Sequence, residues 1–150
     1  MGKIICSGCL LGLACRYQGD ARKNEAITAL ATEHVLIPVC PEQMGGLPTP
    51  RPPAEICEGR VMTAAGDDVT EQYRRGAEMA LQVAQMSGAG IAVLKARSPS
   101  CGKGSVHDGT FTGGLVSGNG VTAELFLQNG IAVYTEEELD ALERHLRGNL

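Results

Sequence analysis

Short apolar runs alternate along the chain with longer stretches of helical periodicity, and this alternation predicts the fold. Four runs of aliphatic and β-branched residues have the length and composition of buried strands; they lie at 3–7, 35–39, 90–94 and 131–134. Helices are predicted between them and after the last one, at 24–32, 70–86, 121–128 and from 135 to about 147. The order predicts an α/β protein: a single Rossmann-like, three-layer domain over residues 1–150 with a mostly parallel sheet.

Local signals mark the ends of two of these helices. Gly88 suits the left-handed position that follows a helix, so we expect the longest helix to end there. Thr135 and Glu138 have the spacing of a capping box and predict the start of the last helix. Its core-facing positions are three leucines, Leu139, Leu142 and Leu146.

Three segments lack helical periodicity. Residues 40–54 hold five of the seven prolines, so we expect neither a helix nor a central strand there. A proline-rich loop of this length is typical of functional loops. Residues 55–64 predict two short extended pieces around Glu58 and Gly59. The glycine-rich segment 103–120 predicts a long substrate-facing loop with room for a small hairpin.

Composition and charge narrow the function classes. Hydrophobic residues make up 43% of the chain and aromatic residues only 3%, so the core must be aliphatic. The net charge of −4 argues against a general nucleic-acid binder, which is usually basic. No apolar stretch approaches the roughly 18 residues of a membrane span, and the N-terminal run is too short for a signal-peptide core. We therefore expect a cytoplasmic protein without membrane contact.

Three of the six cysteines follow apolar runs into loops poor in charge. If the runs are parallel strands, Cys9, Cys40 and Cys101 leave the same carboxyl edge of one sheet, where ligands of open α/β sheets bind. In a reducing compartment, metal or redox chemistry is favoured over a disulfide framework. Three thiolates are one fewer than a closed iron–sulfur or zinc site takes, which leaves one position open. The alternative is that each thiol is a small buried hydrophobe.

The other cysteines carry weaker signals. Cys15 shares the loop of Cys9 and would close the site if it were a fourth ligand. Cys6 lies inside the first strand and is expected to face the core, and Cys57 is expected to be a structural thiol. Positive charge stabilises thiolates, and four basic residues lie near Cys15 or Cys101: Arg16, Lys95, Arg97 and Lys103.

Polar residues next to the cysteine loops are candidates for catalysis. Glu42 follows Cys40 by two positions across Pro41, which would place a proton carrier beside a bound group. Ser98 and Ser100 can bond to sulfur or substrate, or shape the turn before Cys101. The histidines match no ligand spacing and lie outside the predicted site: His34, His107 and His145.

Three stretches resemble the thiouracil desulfurase family of small bacterial proteins. They are Ser7-Gly-Cys-Leu-Leu-Gly12 through Cys15-Arg-Tyr-Gln-Gly19, Cys40-Pro-Glu-Gln-Met-Gly-Gly-Leu-Pro-Thr-Pro-Arg51 with Pro53-Ala-Glu-Ile56, and Leu94-Lys-Ala-Arg-Ser-Pro-Ser-Cys-Gly102. They occur in the expected order and span nearly the whole chain. Gly8 and Gln18 depart from the family pattern, which has Ala and Asp at these positions.

The resemblance implies an iron–sulfur desulfurase domain that holds a [4Fe–4S] cluster through Cys9, Cys40 and Cys101. Its fourth iron would be free to bind the sulfur of a thiolated base such as 2-thiouracil. Water would replace that sulfur at carbon, and sulfide would leave. Glu42 would move protons, helped by Ser98 or Ser100.

Two other functions remain open from the sequence. The same chemistry could act on thiolated tRNA, although the acidic chain disfavours it. A non-catalytic zinc module would use four thiols, Cys9, Cys15, Cys40 and Cys101. The expected partner is a small thiolated base, with no nucleic acid, and the expected state is a monomer or a weak homo-oligomer.

Overall fold

The computed structural model describes residues 2–148. The strands in this part of the chain are β1 (Lys3–Ser7), β2 (Val35–Val39), β3 (Ala54–Cys57), β4 (Arg60–Thr63), β5 (Ile91–Leu94), β6 (Ser105–His107), β7 (Leu115–Ser117) and β8 (Ala132–Thr135). The α-helices are α1 (Glu25–Thr28), α2 (Pro41–Met44), α3 (Thr70–Ser87), α4 (Val121–Gln128) and α5 (Leu139–Gly148). None of these helices is long and apolar enough to cross a membrane.

A four-stranded parallel sheet lies at the centre, in the order β2-β1-β5-β8. Both of its faces are covered, so the side chains of the central strands β1 and β5 are buried on either face, apart from Lys3 at the start of β1. On one face, α3 and α4 contribute Ala80, Ala84 and Phe126 to the core around Ile5. On the other, Ile27 of α1 and Leu142 of α5 belong to the core cluster of Ile4 and Cys6. The predicted three-layer α/β architecture is therefore confirmed.

Most element boundaries agree with the sequence. The first two strands and α4 have the predicted bounds, and α3 ends one residue later than expected, at the left-handed Gly88 (φ 78°). The segment 24–32 divides into α1 and a 3-10 turn at Ala29–Thr32, with Asn24 as the N-cap. The backbone N–H of Thr135 donates to Glu138 at 3.0 Å, as the capping-box spacing predicted, but the predicted start of the last helix at Thr135 was wrong. Thr135 is the last residue of β8, and α5 begins at Leu139.

The prediction for the proline-rich segment was wrong. Residues 40–54 were expected to contain no helix, but Pro41–Met44 forms α2. The reason is that Pro41 occupies the first helical position, where the missing backbone N–H has no intrahelical partner to lose. Cys40 is consequently the N-cap residue of a helix rather than a member of a long open loop.

Two antiparallel hairpins lie outside the central sheet. β3 and β4 pair around Glu58 and Gly59, both at positive φ, which confirms the two extended pieces predicted for 55–64. β6 and β7 pair within the glycine-rich segment, which confirms the small hairpin expected there.

Two glycines allow α2 to lie directly against α3. A Cβ atom on Gly76 would overlap the carbonyl oxygen of Pro41, and one on Gly45 would overlap the carbonyl oxygen of Gln72. The two backbones are thus in contact where side chains would keep most helices apart. Because α2 starts directly after Cys40 and carries Glu42, this contact determines where both residues lie.

We expect Gly76→Ala to destabilise the protein. Alanine in mid-helix normally stabilises relative to glycine, but here the clash with Pro41 should dominate, at about 1–3 kcal/mol or more. Thermal unfolding followed by circular dichroism should show a midpoint lower by roughly 2–4 °C per kcal/mol. Gly90→Ala is the matched control, since a Cβ at Gly90 meets no atom within 4 Å. Equal midpoints for the two variants would contradict the packing argument.

Candidate active site

A cavity of about 360 Å³ opens at the carboxyl edge of the central sheet. Three of the residues that line it are Cys9, Cys40 and Cys101, each from a loop that follows a different strand. Cys9 lies in a 3-10 turn after β1, Cys40 caps α2 after β2, and Cys101 follows β5. The structure therefore brings together the three cysteines that parallel topology predicted at one edge.

Burial disfavours the negatively charged form of two of these thiols, Cys9 and Cys101. It raises the pKa of Cys9 to about 11, against the opposing effect of Lys95 and Arg16. Burial also raises the pKa of Cys101 to about 12, although a hydrogen bond with Ser7 opposes the shift. A metal ion displaces the thiol proton when it binds. Loading of the site should therefore release protons and depend on nearby cations.

Cys15 lies beside Cys40 and also lines the cavity. A hydrogen bond between the two thiols lowers the pKa of Cys40 and raises that of Cys15. The backbone carbonyl of Cys15 is 3.6 Å from the Cys40 sulfur. Gly8 leaves room for this thiol, since a Cβ there would lie 3.3 Å from the Cys15 sulfur. The geometry thus places Cys15 next to the trio, beside Cys40.

The donor set fits an iron–sulfur cluster. Within residues 2–148, no three His, Cys, Asp or Glu side chains are arranged to hold a single metal ion. In a cubane cluster each cysteine binds a separate iron, so the thiolates surround a volume rather than one point. Three thiols around one cavity, with Lys95 and Arg16 nearby, match that requirement. The cluster would be held by Cys9, Cys40 and Cys101.

A buried ion pair fixes the candidate proton carrier. Both Nε and Nη2 of Arg51 lie 2.8 Å from Oε2 of Glu42, and the Arg51 side chain is only 4% exposed. Among the described residues, Oε1 of Glu42 receives no hydrogen bond from a nitrogen donor. The buried Tyr73 lies beside this pair, and burial together with the Glu42 charge raises the pKa of its phenol. Arg51 therefore anchors Oε2 of Glu42 and leaves Oε1 without a nitrogen donor among the described residues.

The two candidate serines have different surroundings. Ser98 lines the cavity, and its hydroxyl oxygen accepts 3.0 Å hydrogen bonds from the backbone N–H groups of Ser100 and Cys101. Ser100 is fully buried, and its hydroxyl is paired with Thr122 of α4 at 2.8 Å. Ser100 does not belong to the cavity lining. The geometry therefore favours Ser98 as the serine that meets a bound molecule.

The comparisons with known proteins are consistent with this site. A family model described as 2-thiouracil desulfurase matches residues 4–138. The chain belongs to the 2-thiouracil desulfurase family. Family membership confirms the resemblance that the three motif stretches indicated.

Two relatives align with almost the whole chain. The protein YbbK of Bacillus subtilis (strain 168), described as uncharacterized, is 43% identical over 147 residues, which span 91% of this chain and 97% of YbbK. A solved structure described as the [4Fe–4S]-dependent thiouracil desulfidase TudS is also 43% identical, with a TM-score of 0.92. That match covers 98% of this chain and 99% of the other.

Sequence reasoning missed four residues of this desulfurase-family cavity: Arg51, Glu55, Tyr73 and His107. Arg51 lay within a motif stretch, but nothing in the spacing assigned it to Glu42. His107 was left out because metal sites are recognised by several donor residues at short spacing, and His107 has no other donor near it on β6. His34 and His145 lie elsewhere, paired with Gly2 and Tyr134 respectively.

The remaining cysteines are separate from the cavity. Cys6 is fully buried in the core, as expected, and burial raises its pKa to about 12. Cys57 was expected to be a structural thiol, but it is exposed at the end of β3. The thiol is the last residue of β3, directly before the turn at Glu58 and Gly59.

We predict that Cys9→Ser, Cys40→Ser and Cys101→Ser each lose the cluster, because each removes the ligand of one iron. Cys57→Ser is the matched control and should retain it. Iron and acid-labile sulfide, counted per chain after anaerobic reconstitution, measure the outcome. Full content in any of the first three variants would contradict the ligand assignment. Cys15→Ser should also stay loaded, and loss of its cluster would instead indicate a closed four-thiolate site.

Proposed function

We propose that this protein removes sulfur from a small thiolated pyrimidine such as 2-thiouracil, using a [4Fe–4S] cluster held by Cys9, Cys40 and Cys101. The observation that carries the proposal is the convergence of three thiols on one cavity in a member of this family. The related TudS, described as a [4Fe–4S]-dependent thiouracil desulfidase, supports the same cofactor and reaction. The net reaction is hydrolysis, in which water supplies the oxygen that replaces sulfur at carbon and hydrogen sulfide leaves.

A cluster with three protein ligands supplies an iron that binds sulfur as a soft ligand and acts as a Lewis acid. The protein supplies a cavity of about 360 Å³, which lies within the range of small-molecule sites. The cavity is lined by both apolar and charged side chains, including Val39, Pro53 and Lys95. A neutral heterocycle fits such a lining better than a polyanion does.

Glu42 is the proposed proton carrier. Its Oε2 atom is held by Arg51, which fixes the carboxylate without occupying Oε1. We assign to Oε1 the uptake of a proton from the attacking water and its later delivery to the products. Holding the carrier rigidly in place lowers the entropic cost of that transfer.

Ser98 has a hydroxyl hydrogen left to donate. Its oxygen already accepts two backbone hydrogen bonds, from Ser100 and Cys101, so the O–H group is oriented by the turn it stabilises. We assign it a hydrogen bond to the substrate. Ser100, whose hydroxyl is paired with Thr122, takes no part in this scheme.

The setting of the reaction follows from charge and size. We infer a cytoplasmic enzyme that acts on a free small molecule, as a single domain over residues 1–150 and as a monomer or a weak homo-oligomer. The chain is acidic, at −4, which disfavours thiolated tRNA as the substrate. Visible absorption separates this proposal from the alternative of a non-catalytic zinc module. The zinc module would be colourless, whereas an iron–sulfur protein absorbs broadly in the visible.

We predict that Glu42→Gln keeps its cluster but loses most of its turnover. Glutamine has the same shape but cannot carry the proton, and general acid–base catalysis is typically worth about 10²–10⁴ in rate. Sulfide release and iron content, measured on the same anaerobic sample, separate the two effects. Glu33→Gln, at an exposed position, is the control. Equal rates in fully loaded Glu42→Gln and wild type would make Glu42 a structural residue.

The substrate class has its own test. We expect the reconstituted protein to release sulfide from 2-thiouracil at a rate that is nearly independent of salt, because a neutral base releases no counterions on binding. Thiolated tRNA should react slowly or not at all. Sulfide release is measured for a panel of thiolated bases, nucleosides and tRNA at about 50 and 200 mM salt. Polyanion binding weakens steeply over this range. Faster and strongly salt-sensitive turnover of tRNA would overturn the choice of a small substrate.

A further inference from the structure

His107 has an unusual position for a histidine with no assigned role. It is the last residue of β6, its side chain lines the same cavity as the three cysteines, and it is only partly buried. Its Nδ1 atom is buried and has no hydrogen-bond partner among residues 2–148. Buried polar atoms are nearly always paired, so each exception needs a physical explanation.

The position of His107 is held firmly from two sides. On β6, Val106 bridges to Arg97, which precedes the Cys101 turn, and His107 pairs with Leu115 of β7. The loop after His107 is then tied to β3, because the buried carboxylate of Glu55 accepts hydrogen bonds from two backbone N–H groups. These belong to Gly109 at 3.0 Å and Phe111 at 3.1 Å, both onto Oε1.

Gly109 makes this attachment sterically feasible. It has a φ of 90°, and a Cβ on it would lie 2.7 Å from the carbonyl oxygen of Ile56. The loop therefore lies directly on the β3 backbone, and Glu55 also lines the cavity. A side chain held in this way loses little further entropy when a ligand pairs with it, which favours a preorganised contact.

The chemistry of the cavity wall indicates which group His107 meets. The cysteines come from the carboxyl edge of the central sheet, whereas His107 and Glu55 come from the two hairpins. A thiolated pyrimidine must place its sulfur toward the cysteines. In 2-thiouracil the polar atom most remote from sulfur is the ring carbonyl oxygen. Because Nδ1 is enclosed by protein, Nε2 is the ring nitrogen that a ligand in the cavity can reach, and an N–H at Nε2 suits that acceptor.

We propose that His107 binds the substrate directly by donating a hydrogen bond to the ring carbonyl oxygen, and so selects oxo-thiopyrimidines over thiopyrimidines that lack the carbonyl. This inference rests on the proposed function and adds a specificity residue to it. Glu55 is the positioning residue, since it acts by holding the loop that follows His107. A site built around a hydrogen bond rejects a ligand without the matching group, because the buried donor is then left unpaired.

The test uses the cluster-loaded protein under anaerobic conditions. Wild type, His107→Phe, His107→Asn and the control His34→Asn are compared with 2-thiouracil and with 2-thiopyrimidine, which has no ring carbonyl. The dissociation constant of uracil is measured by calorimetry as a readout that involves no sulfur chemistry. Iron and sulfide content establish that all four samples are equally loaded and folded.

We expect His107→Phe to raise the KM for 2-thiouracil and the dissociation constant of uracil about tenfold, the typical effect of one lost hydrogen bond. Its kcat should stay within about twofold, because the contact is made before and during the reaction alike. KM for 2-thiopyrimidine should not change. His107→Asn retains a donor and should recover part of the loss, while His34→Asn should behave as wild type.

Two results would overturn the assignment. Unchanged uracil binding in His107→Phe would show that the imidazole does not touch the ring. An equal rise in KM for both thiopyrimidines would indicate a structural effect without carbonyl selection. In either case wild-type turnover leaves the proposed function intact. If loaded wild type releases no sulfide from any thiolated pyrimidine, the proposed function and the role of His107 both fall.

Discussion

The buried guanidinium of Arg51 connects the loops that form the cavity. Its side chain donates to Glu42 on α2, to the carbonyl of Pro48 and the hydroxyl of Thr49 in the proline-rich loop, and to the carbonyl of Cys15. A buried charge is tolerated only with such complete pairing. One side chain thus ties the loop after β1 to the loop after β2, and every functional assignment near Cys40 depends on that connection.

The cysteine trio could be predicted because it depends on topology alone. Once β1, β2 and β5 are parallel, the residues that follow them must emerge at one edge, whatever the loops do in detail. The end of α3 could be predicted for a related reason, because Gly88 acts through local backbone geometry. These features need only short-range pattern and the handedness of the fold.

Features that depend on loop conformation could not be predicted. The pairing of Glu42 with Arg51 depends on the path of the chain over a separation of nine positions. The helix α2 was missed because Pro41 can start a helix as well as prevent one. Ser98 and Ser100 are two residues apart in a turn, so their directions were undecidable until the contact of Ser100 with Thr122 was seen. The position of His107 depends on the loop that Glu55 holds, and Glu55 lies 52 positions earlier in the chain.

The distribution of tyrosines has a spectroscopic consequence. The chain contains three tyrosines and no tryptophan, so its intrinsic fluorescence is dominated by phenol rings. Tyr17 and Tyr73 line the cavity, whereas Tyr134 lies on β8 with its hydroxyl 2.7 Å from His145. A strongly absorbing group in the cavity would sit next to two of the three emitters. The tyrosine emission of this protein therefore reports whether its cavity is filled, without an added label.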